Sequence, residues 1–249
     1  MSLLSNLAVW FDGVKAEFVL NFIDKNRWKM LVNGLGNTLL ISILACLLGI
    51  VLGALIAVVR TSWDNSGRYR PKGVGRTLMG LLNGICQLYT TVIRGTPVVI
   101  QLLIMYYIIF ASSSNGLMVA TLAFGLNSGA YVSEIVRSGI LSVDKGQTEA
   151  GRSLGMGYVQ TMWFVIAPQV LKNILPTLAN EFITLLKETS VAGYVAVSDL
   201  TFAGNRIRGV TYSPFMPLIA VALIYLVLVV FLTYLVGKLE RRLRQGDNR

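Results

Sequence analysis

Residues 149–155 read Glu-Ala-Gly-Arg-Ser-Leu-Gly, and ten residues beyond the last glycine the chain reads Val165-Ile166-Ala167-Pro168. This polar, glycine-punctuated island lies between strongly apolar segments. Ala150, Leu154 and Tyr158 recur every four residues, an apolar stripe on a short helix. Gly151, one position along, leaves room for close backbone approach by a partner. Glu149 and Arg152 stand three apart, where surface side chains can pair. Gly155 can take a positive φ and so turn the chain between two short helices. A membrane protein has little reason to build such an island unless something docks there.

Working outward, the composition puts the island in a membrane protein. Of 249 residues, 54% are apolar and 14% charged, with a mean hydropathy of +0.64. A soluble domain carries nearer a quarter charged residues. The net charge of +10 sits in loops between apolar spans, as topology determinants do, and argues against nucleic acid as a partner. No histidine is present, which removes imidazole ligands, triads and proton relays together. Cys46 and Cys86 lie in separate apolar segments with no partner spacing and read as core or lipid-facing thiols. No metal site is expected. The N-terminus lacks the basic region and compact apolar core of a cleavable signal. Residues 1–30 mix Trp10, Phe11, Phe18, Phe22 and Trp28 with charged residues and read as an amphipathic, interfacial extension.

A spanning helix needs about 20 apolar residues. Five candidates follow, at about 35–59, 78–110, 117–140, 174–195 and 215–236, within a membrane domain of residues 31–240 and ahead of a tail at 241–249. Gly49 and Gly53 make a G-x-x-x-G pair on the first, a close-packing face. Residues 60–76 read as a basic loop. The second candidate is interrupted by Arg94-Gly95-Thr96-Pro97; proline removes a helix hydrogen bond, so a kink or break is expected there.

Lysine and arginine set the orientation. Thirteen fall in residues 60–76, 137–152 and 238–249, against six in residues 1–34 and at Arg206 and Arg208. The richer side is the cytoplasm, so the C-terminus and the island are expected inside and the N-terminus outside.

The island's spacing, E-A-small-x-x-x-G with an aliphatic-x-x-P ending, resembles the coupling loop of permease subunits of ATP-binding-cassette importers. Arg94-Gly95-Thr96-Pro97 followed by Gln101 resembles the R-G-T-P-x-x-x-Q stretch of the polar amino acid permeases, of the histidine, glutamine and arginine type. Residues 127–140 and 185–200 are similar to that subfamily as well. Gly151 departs from it, where the family more often has alanine, and residues 61–76 run longer than usual with no assigned role. The resemblance implies an all-α, five-span type I importer permease in a bacterial inner membrane. It implies a separate ATPase subunit docked on residues 145–168 through Glu149, Ala150, Gly151, Leu154, Gly155, Tyr158 and Pro168. It also implies a second permease, the same or related, and an extracytoplasmic substrate-binding protein. The chain itself then needs no cofactor, since ATP and magnesium belong to the ATPase.

On the third span Asn127, Tyr131, Glu134 and Ser138 fall on one line, and a polar stripe in hydrocarbon must face the bundle or a water-filled path. On the fourth, Thr177, Glu181, Thr184 and Glu188 share a face. Gln101, Asn127, Tyr131, Glu134, Glu181 and Thr184 are therefore expected along the substrate path, with helix–helix bonding and a Glu134–Arg137 pair as the plainer alternative. Arg94, Gly95 and Pro97 read as a gating hinge, or, for Arg94 alone, as a contact to lipid headgroups. No phosphate-binding G-x-x-x-x-G-K-[ST] loop is present, so enzyme chemistry is not expected here. A glycine betaine or methionine importer, or an ATP-independent secondary transporter, are the rival readings.

Overall fold

The computed structural model describes residues 3–66 and 73–245. Arg68, Arg70 and Lys72 of the basic loop, and residues 246–249 of the tail, lie outside the described residues. No strand occurs among the described residues. Ten α-helices follow in order: α1 (Leu3–Phe18), α2 (Trp28–Ser66), α3 (Val74–Gly95), α4 (Val98–Ile104), α5 (Gly116–Leu141), α6 (Lys145–Ser153), α7 (Tyr158–Thr161), α8 (Ala167–Glu188), α9 (Leu200–Thr211) and α10 (Phe215–Gln245). Five-residue π turns follow α1, α4 and α7 at Val19–Ile23, Met105–Ile109 and Met162–Ile166.

Trp28–Asp64, Gly116–Leu141 and Phe215–Leu243 are long and apolar enough to cross a membrane, and Val74–Gly95 with Val98–Ile109, bent by 110°, makes a fourth if the pair is one span. The break expected at Arg94-Gly95-Thr96-Pro97 is therefore present, and it is a sharp elbow. Residues 174–195 correspond to most of α8 and the 3-10 turn after it; their Thr, Asn, Glu and Lys content keeps them below that apolarity. The expectation that Arg60 opens a loop is corrected. The helix α2 continues to Ser66, because no glycine or proline interrupts residues 54–66, and Arg60 is drawn inward by a carboxylate.

The core forms where α2 and α5 lie backbone to backbone. A Cβ on Gly49 would stand 2.8 Å from Ser128 Oγ, and one on Gly53 would stand 2.6 Å from Val132 Cβ. The helix α5 answers with Gly125 and Gly129, which receive Leu48 and Leu52. Small residues at such a crossing let dispersion contacts accumulate where lipid supplies no hydrophobic drive. Around it Ile41, Leu102, Phe124, Leu185 and Val195 are buried together, joining α2, α4, α5 and the end of α8.

At the opposite end Phe22, Leu31, Leu200, Ile207 and Val221 form a second core. Asn21, fully buried, ties the N-terminal segment to it: its amide donates to Glu17 O (2.8 Å) and Ser213 Oγ (3.1 Å) and accepts from Thr211 Oγ1 (2.7 Å). The segment from Glu17 to Phe22 is thus anchored on the α9–α10 turn, while residues 10–16 stay largely exposed. Asp199 caps α9 by accepting from Thr201 N (2.9 Å) and Phe202 N (3.0 Å); burial pushes its carboxyl above the usual range, and those donors pull part of the way back.

Candidate functional site

The island folds as two short helices around a glycine. Asp144 Oδ1 accepts from Gly146 N at 2.7 Å and starts α6. The helix ends in a Schellman motif, with Met156 N donating to Gly151 O (3.1 Å) and Gly155 N to Arg152 O (3.0 Å). Gly155 holds φ +83°, the left-handed conformation that glycine adopts at least cost. Gln160 Oε1 then accepts from Gly157 N (2.9 Å) at the start of α7. Leu154 is 83% exposed, and Ala150 and Tyr158 are exposed with it, so much of the apolar stripe lies at the surface. Pro168 lies at the start of α8, and with Tyr158 it borders an apolar groove of about 680 Å³ against α2 and α5.

Gly151 is buried, and a Cβ there would stand 2.7 Å from Thr161 Cγ2. The close approach it permits within this chain is between α6 and α7.

The expected path residues divide. Gln101 bonds back on the elbow: its Nε2 donates to Ile93 O (2.7 Å) and to Thr96 Oγ1 (2.8 Å), and its Oε1 accepts from Asn127 Nδ2 (2.9 Å). Asn127 is 3% exposed and its Oδ1 has no hydrogen-bond partner among the described residues. Glu134 accepts from Arg60 and from Arg137 Nε (3.1 Å), with Arg94 Nη1 at 4.0 Å. The guanidinium of Arg94 lies 5.4 Å from the Tyr131 ring centre, within cation–π reach. Glu181 accepts from Ser128 Oγ at 3.2 Å.

On α8 the exposed line differs from the face read in the sequence. Asn173, Thr177, Asn180, Thr184 and Lys187 are exposed, at spacings of four and three, while Glu181 and Glu188 turn partly inward. One signal of this line was available: the 4-3-4-3 recurrence is the repeat along which helices pair. Arg60 was missed as a site residue, since it was read as part of a loop.

A bundle of long apolar helices with a sharply bent helix pair, an exposed polar line on α8 and an exposed helix–glycine–helix loop is the architecture of a membrane transport subunit. The chain belongs to the family of binding-protein-dependent transport system inner membrane components, whose model matches residues 73–245. It is similar to the arginine transport system permease protein ArtQ of Bacillus subtilis, 36% identical over 220 residues covering 87% of this chain and 94% of that one. The L-cystine transport system permease protein TcyB of the same organism is 34% identical over 243 residues, covering 96% of this chain and 97% of the relative. The glutamine transport system permease protein GlnP of Escherichia coli is 32% identical, over 86% of this chain and 93% of its own. Among solved structures, an amino acid ABC transporter with histidines superposes with a TM-score of 0.77 at 36% identity, covering 89% of this chain and 98% of that one. A methionine ABC transporter in inward-facing conformations gives a TM-score of 0.71 at 20% identity, over 87% and 97%, and speaks for the fold alone.

Proposed function

We propose that the chain is the permease subunit of an ATP-driven importer for polar amino acids. It works beside a second permease, takes substrate from an extracytoplasmic binding protein, and is driven by a separate ATPase docked on residues 145–168. The observation that carries the reading is the polar line Asn173, Thr177, Asn180, Thr184 and Lys187 exposed on a membrane helix. Hydrocarbon penalises such groups, so they face water or another protein. A second permease across that line, with a water-filled path between the two, satisfies them. Related permeases named for arginine, cystine and glutamine transport support polar amino acids as cargo.

In this reading the chain spans the membrane five times, α8 with the turn after it being the span whose polarity is explained by the path. The N-terminus is outside and the C-terminus and coupling loop are in the cytoplasm, as the lysine and arginine distribution supports. Ala150, Leu154, Tyr158 and Pro168 form the contact with the ATPase, Glu149 edges it, and Gly151 and Gly155 shape it. Asn127, Tyr131, Glu181 and Thr184 line the path; the buried Oδ1 of Asn127, unpartnered among the described residues, becomes an acceptor for a substrate ammonium when the path opens. Closure of the ATPase pair on ATP and magnesium pulls the loops, and the bundle rocks about the central site to give alternating access. Hydrolysis is the partner's chemistry.

The test is uptake into vesicles holding the assembled complex and its binding protein, with ATP inside, over a panel of amino acids. Saturable, ATP-dependent accumulation of a polar amino acid is expected. Accumulation that persists without the ATPase would instead make the chain a secondary transporter.

A further inference from the structure

Residues 94–101 hold two polar ties, one on each side of the elbow. Thr96 (φ −123°, ψ 147°) and Pro97 (φ −63°, ψ 136°) are extended and form the break itself. Breaking a helix in a membrane releases carbonyls that lipid cannot satisfy. Gln101 takes them up: its Nε2, with two hydrogens, lies within hydrogen-bond reach of Ile93 O (2.7 Å), Thr96 O (3.1 Å) and Thr96 Oγ1 (2.8 Å). Its Oε1 accepts from Asn127 Nδ2 at 2.9 Å, joining the elbow to α5. On the other side of the break Arg94 reaches Glu134 at 4.0 Å and lies over Tyr131 at 5.4 Å. Arg94 and Gln101 are seven residues apart, and so are their partners Asn127 and Glu134. Seven residues are about two turns of α5, which puts both partners on one face.

The ties are unequal. Gln101 uses both ends of its amide against a buried partner. Arg94 has a side chain 45% exposed and comes third to a carboxylate already held by Arg60 and by Arg137 Nη2 at 3.0 Å. A long, exposed ion pair is weak and screened by salt.

We propose that Gln101–Asn127 is a fixed pin and Arg94–Glu134 a releasable latch, so that α3 swings about Thr96-Pro97 while α4 stays on α5. Gln101 and Glu134 are then positioning residues of a gate rather than contacts to cargo. The latch's place in a transport cycle rests on the importer reading; the pin and latch themselves do not. The hinge converts a movement of α3 into opening beside Tyr131, and the swing must also release the Tyr89 Oη–Leu126 O bond that joins α3 to α5.

The test uses the full chain in lipid nanodiscs, with Cys46 and Cys86 replaced by alanine and nitroxides on cysteines at Leu82 of α3 and Leu141 of α5, both exposed. Distances come from double electron–electron resonance. The parent is expected to give one narrow distribution. Arg94→Ala adds a discrete second population at longer distance, Arg94→Lys returns most of it, and 1 M salt produces part of it in the parent. Gln101→Leu instead broadens the distribution without a discrete second state. Should Gln101→Leu fail to fold, the Arg94 pair still decides. One unchanged narrow distribution in Arg94→Ala, or a second state that Arg94→Lys does not reverse, overturns the latch. A discrete second state in Gln101→Leu overturns the pin. None of these readings uses ATP or cargo, so an importer reading that fails in the uptake assay fails separately.

Discussion

At Gly53 the close approach of α2 and α5 requires a missing methyl group. A Cβ there would stand 2.6 Å from Val132 Cβ and 2.8 Å from Ser133 N, so the helices must separate to admit it. Gly53→Val is expected to cost about 1–3 kcal/mol through overpacking, read as a lower Tm in detergent. The control lies on the same helix. Gly36 has nothing within 4 Å of its would-be Cβ, and Gly36→Ala is expected to leave Tm unchanged or raise it, the stability gain being up to about 1 kcal/mol through a less free unfolded chain. The G-x-x-x-G pair was legible because two glycines four apart on an apolar helix make a face by geometry alone. The inward turn of Arg60 was not, because its partner, Glu134, is 74 residues away. Gly151 shows the same limit: smallness was readable, but whether it serves a partner or Thr161 depends on where α7 returns.

Among the elements, the elbow between α3 and α4 was the easiest to foresee, since Pro97 and Gly95 act on the backbone locally. The exposed face of α8 was misjudged by part of a turn. Thr177 and Thr184 lie on both the expected and the observed line, but the burial of Ile174 and Val170 against Ile135, Val136 and Ile140 decides which neighbours join them. That choice is made by α5, not by residues near α8 in sequence. The N-terminal segment gave no firm role for the same reason, because Asn21 meets Thr211 and Ser213 about 190 residues on. Asn21→Ala leaves those hydroxyls and the Glu17 backbone carbonyl without their buried amide, at a cost of about 1–3 kcal/mol. Faster hydrogen exchange across residues 17–23, with α5 unchanged, is the expected result. Equal protection in both proteins would mean that the apolar contacts of Phe22 alone hold the segment.

For the whole molecule, the account requires that the island and the α9–α10 turn lie on opposite faces of the membrane. Leu154 and Tyr212 are 83% and 91% exposed, so cysteines there report the two sides. In the Cys46→Ala, Cys86→Ala background and in intact cells, an impermeant maleimide is expected to label Tyr212→Cys but to reach Leu154→Cys only after the membrane is opened. Labelling of both positions from outside would remove the topology on which the loop's role stands.

The claim that the loop of residues 145–168 receives the ATPase is tested most directly by purifying the tagged chain from its native membrane, wild type beside Gly155→Glu. Gly155 sits at φ +83° with nothing within 4 Å of a would-be Cβ. A glutamate there meets no clash and strains only the turn, by about 1–2 kcal/mol for the left-handed backbone, leaving the spans intact. An ATPase subunit that accompanies the wild type and is lost or sharply reduced with Gly155→Glu is the predicted result. A wild-type chain that brings down no ATPase would contradict it.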